Sequence, residues 1–318
     1  MKNTPHNRKR LISKTLVDIP LLILVCCADS PLANSADPDG LYAQSDCALD
    51  GLYAQGDCVR RQAVASLVLC LKEGMSGTLQ SLLREIVVDS REASGVRIAA
   101  LSVLSESSRV DGIMKALEEI ALCPSEAPEM RCASLMVFVV HGESLDRKRK
   151  SQIVSSLAQC VTEDLTVRVC AISIVPSHSL VRDEAGRDEA IKTLNGVLES
   201  SRCAPDVAVS ALTMLGHIGM ELLLSDGTFQ ASAAHSAILK TASDPCRGIS
   251  VRVAALDALE SPLLLSMAFK NGDTSVAKVV ARLKKMASCE HAPASVRNRD
   301  LIIIDRINFL RDAADSPE

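Results

Sequence analysis

The sequence predicts an all-α fold, a right-handed α-solenoid of about seven helix-pair repeats. Three observations carry that expectation. A short segment of the general form Val-Arg-x-Ala-x-Leu recurs seven times at intervals of 34 to 45 residues. Between its copies, apolar residues return every three or four positions, the spacing that lines one face of a helix. Of the 318 residues 47% are hydrophobic but only 2% aromatic, with no Trp. A core without large rings is built from Leu, Val, Ile and Ala, which suits closely packed helices better than a β-sandwich or barrel.

The recurring segments begin at Val59-Arg60, Val96-Arg97, Met130-Arg131, Val167-Arg168, Val207-Ala208, Val251-Arg252 and Val296-Arg297. Six of the seven carry Arg in second place. Their unequal spacing marks insertions in loops, not loss of the repeat. A second helical pattern lies between them, as in Leu79–Val87, Ile113–Ala121, Ile153–Val161, Ile191–Leu198 and Val279–Ala287. Each repeat therefore reads as helix, short turn, arginine-bearing helix and a looser connection. One such hairpin cannot bury its own apolar stripes, whereas a stack of them makes a continuous core. Ala at repeated positions lets neighbouring helices approach closely. Asp89, Pro124, Asp164, Pro205-Asp206, Asp244-Pro245 and Pro293 supply the punctuation expected at the turns.

Val96-Arg97-Ile-Ala-Ala-Leu101 and Val251-Arg252-Val-Ala-Ala-Leu256, each preceded by an Asp/Pro turn, resemble the HEAT-repeat family, and the resemblance spans roughly residues 59–318. It implies a turn-bracing role for Arg60, Arg97, Arg131, Arg168, Arg252 and Arg297, each pairing with Asp or with turn carbonyls of the neighbouring unit. Such a motif is specific for fold and nearly silent on function.

Upstream the chain changes character. Residues 1–14 carry five basic residues and no acid, and an apolar run from Leu16 to Cys27 follows. That layout is expected of a secretory signal over residues 1–27, although Asp18 and Pro20 interrupt its start. The run is shorter than the roughly 20 residues a membrane-spanning helix needs, and no later segment reads as long enough either. Leu24-Val25-Cys26-Cys27 resembles a bacterial lipobox, which makes Cys27 the candidate for lipidation and an N-terminal lipid the candidate membrane attachment. Residues 28–58 read as a linker. Within it Asp39-Gly-Leu-Tyr-Ala-Gln-Ser-Asp-Cys47 recurs as Asp50-Gly-Leu-Tyr-Ala-Gln-Gly-Asp-Cys58, a tandem duplication of slippage type.

Ten cysteines follow residue 27. Cys123, Cys160, Cys203, Cys246 and Cys289, spaced 37, 43, 43 and 43 residues apart, suggest one thiol at the same place in five successive repeats. Bridges between successive members are not expected, because helices pack 8–10 Å apart and a disulfide needs Cα atoms within about 7 Å. Cys123 with Cys132, and Cys160 with Cys170, are the pairs that could bridge within a unit. Otherwise these cysteines read as small buried hydrophobes in Ala-sized slots. No Cys-x-x-Cys or His-x₃–₅-His pair occurs, so no metal site is expected, nor any cofactor. The six His form no catalytic set with carboxylates. The basic run Arg147-Lys-Arg-Lys150 and the acidic run Arg182–Glu189 read as solvated helix starts.

The formal charge of −4 argues against nucleic acid as a partner. The sequence is best read as a non-catalytic interaction scaffold that binds a partner protein or peptide, exported or lipid-anchored at the cell envelope. A cytoplasmic HEAT-repeat adaptor is the alternative. A HEAT-type enzyme such as a lyase ranks below both, and the His-Glu dipeptides of the deoxyhypusine hydroxylases are absent.

Overall fold

The computed structural model describes residues 77–106, 110–141, 146–177, 180–181, 183–200, 203–226, 233–268 and 273–315. Cys27, the duplication at 39–58, Arg60 and the first Val-Arg segment lie outside them. The described residues form an α-solenoid of six helix pairs and no strand. Pair one is α1 (Gly77–Val88) and α2 (Ser94–Glu106), and pair two is α3 (Met114–Leu122) and α4 (Pro128–His141). Pair three is α5 (Arg147–Gln159) and α6 (Leu165–Ile174); pair four is α7 (Glu184–Glu199) and α8 (Pro205–Asp226). Pairs five and six are α9 (Ala233–Ser243) with α10 (Ile249–Ala268) and α11 (Asp273–Ala287) with α12 (Ala294–Asp315).

The helix boundaries follow from local chemistry. Asp146, Asp164 and Asp183 cap α5, α6 and α7, their carboxylates accepting from Lys148 N, from Thr166 N and Val167 N, and from Gly186 N. Pro128 and Pro205 open α4 and α8, where a missing N–H costs nothing. Gly186 sits where no side chain fits, since a Cβ there would lie 2.1 Å from the Leu180 carbonyl oxygen. Pro262 lies within α10 and removes the hydrogen bond that would reach the Ala258 carbonyl. Gly216 of α8 approaches that same oxygen so closely that a Cβ would stand 3.0 Å from it.

The second helices of the pairs form a continuous row, α2 on α4, α4 on α6, α6 on α8, α8 on α10 and α10 on α12. Small residues make this possible. The third residue after the motif arginine, or after Ala208 in pair four, is Ala100, Ser134, Ala171, Ala211 and Ala255 in pairs one to five, and each is buried. The next residue is Leu101, Leu135, Ile172, Leu212 and Leu256, each at most 1% exposed. In pair six the equivalent Leu301 is 49% exposed, because no further helix pair covers it among the described residues. Among the described residues one helix, α8, is long and apolar enough over Pro205–Leu223 to cross a membrane, contrary to the expectation that no later segment would be. Its length comes from its place in the stack, packed against α6, α7, α9 and α10 with half of that stretch buried.

Candidate functional site

Two features of the row of second helices carry chemistry, a ladder of arginines behind it and a strip of residues along its outer face. The ladder begins from an electrostatic need. The last carbonyls of a helix have no intrahelical donor. Arg97, Arg131, Arg168 and Arg252 each send Nε to the carbonyl ten residues earlier, at the end of the first helix of their own pair. The acceptors are Val87 (2.9 Å), Ala121 (3.1 Å), Ala158 (3.4 Å) and Ala242 (3.0 Å). All four arginines are buried.

The rest of the guanidinium looks to the next pair. Arg97 makes a two-pronged contact with Glu126, at 2.7 and 3.1 Å, and Arg131 with Glu163, at 2.7 and 2.7 Å. Each acid lies five residues before the next motif arginine. The Arg131 guanidinium holds the Glu163 carboxyl below the ordinary carboxylate range. The resemblance implied Asp or turn carbonyls of the neighbouring unit, whereas the braced carbonyl belongs to the arginine's own pair and the side-chain partner is a Glu of the following pair.

After pair two the ladder changes. The acid position facing Arg168 is Cys203, and Arg168 Nη2 is buried without a partner. In pair four the arginine itself is replaced by Ala208, and the carbonyl it would brace, that of Leu198, instead accepts from Arg247 Nη2. Arg247 occupies the place that holds Glu126 and Glu163 in earlier pairs. The guanidinium has moved from one pair to the next while serving the equivalent carbonyl. Arg297 departs as well, donating from Nη1 to the Glu290 carbonyl at 3.2 Å. Because a buried Nη2 without a carboxylate is an unmet donor, Cys203→Glu is expected to stabilise the chain by about 1 kcal/mol. That corresponds to a rise in melting temperature of roughly 2–4 °C. The gain should vanish when Arg168→Met is added, and a melting temperature unchanged or lowered by Cys203→Glu alone would refute this account.

The strip lies on the outward positions of the same helices. Immediately after the motif position come Ile98, Cys132, Val169, Val209 and Val253, all half-buried. The next place holds Ala99, Ala133, Cys170, Ser210 and Ala254, all small. Four residues after Ile98, Cys132, Val169 and Val209 stand Ser102, Met136, Ser173 and Thr213. None of these residues is charged, so neighbouring helices present one continuous apolar and hydroxyl surface. It ends at Asp257, which pairs with Arg299 of α12 at 2.5 Å. Sequence reasoning missed this strip. Aligning the copies on their arginine would have shown it.

The basic run is not a free patch. Arg147 pairs with Asp183, Arg149 pairs with Glu118, and Lys150 is buried with Nζ on the Val139 carbonyl at 2.9 Å. The cysteine ladder also dissolves. Cys123, Cys160 and Cys289 lie eight residues before their arginines, but Cys203 lies five before Ala208 and Cys246 six before Arg252, because the connections between pairs vary in length while the turns of pairs two to five do not. The pairs Cys123–Cys132 and Cys160–Cys170 are not bridged, and all four are free thiols. Cys123 and Cys160 end helices at the turn edge, contacting Ser125 (3.1 Å) and Thr162 (3.3 Å), while Cys132 and Cys170 point along the row toward each other's helices. Among the described residues no three His, Cys, Asp or Glu side chains gather to hold a metal. A pocket beside Val154, Leu180 and Thr193 has about 10 Å³ of accessible space, against the roughly 300–1,000 Å³ of small-molecule sites.

No protein-family model matches the chain, and no curated protein matches it. Solved structures do. Human deoxyhypusine hydroxylase in complex with glycerol is similar at 13% identity, over 86% of this chain and 86% of that one, with a TM-score of 0.36. An engineered protein is similar at 12% identity, over 84% and 97%, with a TM-score of 0.34. The N-terminal domain of Mot1 in complex with TBP is similar at 14% identity, over 98% of this chain and 47% of that one, with a TM-score of 0.45.

Proposed function

We propose that the chain is a non-catalytic interaction scaffold whose row of second helices binds an extended apolar segment of a partner protein or peptide. The observation that supports this is the uncharged strip of half-buried and small residues that runs from Ile98 to Val253 across five successive second helices. A continuous apolar surface of that kind on a soluble fold usually marks an interaction site. Half-buried Val, Ile, Ala and Ser side chains give shape and desolvation without fixing one hydrogen-bond pattern, which suits segments defined by apolar anchors. The same reading takes residues 1–27 as an export signal and Cys27 as the site of a lipid anchor at the envelope. The intact mass of the protein from its native cells tests that assignment. A chain starting at Cys27 with diacylglycerol mass supports it, and one starting at Met1 moves the scaffold to the cytoplasm.

The docking surface is tested by selecting displayed random peptides on the full chain. Enriched peptides should carry spaced apolar anchors, and their binding should weaken at least about tenfold in a Val169→Lys, Val209→Lys double variant. Binding should hold within about twofold in Lys115→Glu, a fully solvated position on the first-helix side. A peptide family indifferent to the double variant, or none enriched, would remove the strip from consideration.

A further inference from the structure

The strip carries two thiols that the scaffold reading does not use. Cys132 follows Arg131 on α4, and Cys170 lies two residues after Arg168 on α6. They belong to adjacent pairs and lie on helices in direct contact. Buried Ala133 and Ala171 beside them have no bulk to hold the helices apart. Cys170 Sγ donates to the Cys132 carbonyl oxygen at 3.8 Å, and Cys132 Sγ donates to the Thr166 carbonyl oxygen at 3.7 Å, so each sulfur reaches the backbone of the other's helix. Both are half-buried, within reach of solvent. The other thiols sit differently: Cys123 and Cys160 contact hydroxyls, and Cys203 reaches the Ala204 carbonyl.

We propose that Cys132 and Cys170 form a dithiol–disulfide pair that a low-molecular-weight disulfide oxidises, joining helix pair two covalently to pair three across the docking strip. Helix axes roughly 8–10 Å apart keep thiols in the turns of successive units from meeting. Cys132 and Cys170 instead extend from facing helices into the gap between them, each sulfur within 3.8 Å of a backbone oxygen of the other's helix.

The two thiols have unequal roles. The neighbouring Cys170 thiol lowers the Cys132 pKa, with the Arg131 charge adding to the effect. The same contact, together with burial, raises that of Cys170. Cys132 is therefore the attacking thiolate. It attacks one sulfur of the oxidant, the oxidant's S–S bond breaks, and one small thiolate leaves. Cys170 then gives its proton to the thiolate that has left, its sulfur attacks Cys132 Sγ in the mixed disulfide, and the second small thiolate departs and takes up from solvent the proton that Cys132 released on ionising. Two protein thiols lose two electrons, and one small disulfide becomes two thiols.

The experiment uses the reduced full chain with glutathione disulfide as oxidant, followed by alkylation of remaining thiols, trypsin and mass analysis. Cleavage gives peptides 132–147 and 169–182, each with one cysteine. The expected product is the two peptides joined, at least about tenfold above any other intramolecular disulfide. In a Cys170→Ser variant, Cys132 should instead accumulate as a glutathione adduct, since no resolving thiol remains. Peptides alkylated or glutathionylated separately in the parent chain, with no joined product, would overturn the proposal without touching the scaffold reading.

Discussion

Arg131→Met is expected to lower the stability of the chain by about 3–5 kcal/mol, the cost of breaking a buried ion pair by removing one partner. Arg131 is 3% exposed and Glu163 13% exposed at their side chains, so solvent does little to soften the loss. The variant strands the Ala121 carbonyl at the end of α3 and leaves the Glu163 carboxylate half-enclosed without its cation. The effect is concentrated at one junction, because each unit of a solenoid is stabilised only by its neighbours. A thermal melt followed by helical circular dichroism should show a fall of roughly 10 °C or more. Adding Glu163→Leu should recover a large part of it, since an apolar pair of similar volume has no charge to strand. If Arg131→Met melted within about 2 °C of the parent, the ladder would be a geometric regularity without energetic weight.

The arginines show how far the sequence could be read and where it stopped. Their recurrence, with Ala three residues on and Leu after that, identifies helices that repeat and pack closely, and the stack of pairs follows from burial alone. The partners were out of reach because they depend on two registers at once. Glu126 and Glu163 lie 29 and 32 residues beyond Arg97 and Arg131, across a loop whose length varies. At Ala208 the motif has no Arg. Its counterpart is Arg247, 49 residues beyond the carbonyl it serves. The same varying loops misled the reading of cysteines. Equal spacing of 43 residues suggested equal positions, whereas connections of different length between the pairs leave Cys203 and Cys246 at other places in turns of constant length. Cys132 and Cys170 drew attention only as partners within a unit, because a linear sequence shows nearness along a hairpin better than nearness between stacked helices.

Asp300 is where the packing rule and the charge rule conflict. It occupies the slot held by Ala100, Ala171, Ala211 and Ala255 in other pairs, is fully buried, and has both carboxylate oxygens without a partner. Arg252 is the charge that acts on it, but its Nε stays on the Ala242 carbonyl, and Ala292 stands where an acid would face it. Burial therefore pushes the Asp300 carboxyl from its ordinary 3.8 up to about 7, with the Arg252 charge only partly opposing it. The native state then holds a proton that the unfolded chain has already released. Stability is undiminished below about pH 4, declines as pH rises toward 7, and carries the full cost above it, on the order of 2–4 kcal/mol. Asp300→Ala should consequently raise the melting temperature at pH 8 by several degrees and leave it nearly unchanged at pH 4. The parent should lose stability between those values by an amount that the variant does not lose. Equal pH dependence in the two chains would mean that Arg252 leaves its carbonyl to pair with the ionised carboxylate. The ladder would then extend to pair six by way of an acid three residues after an arginine, in place of one five residues before it.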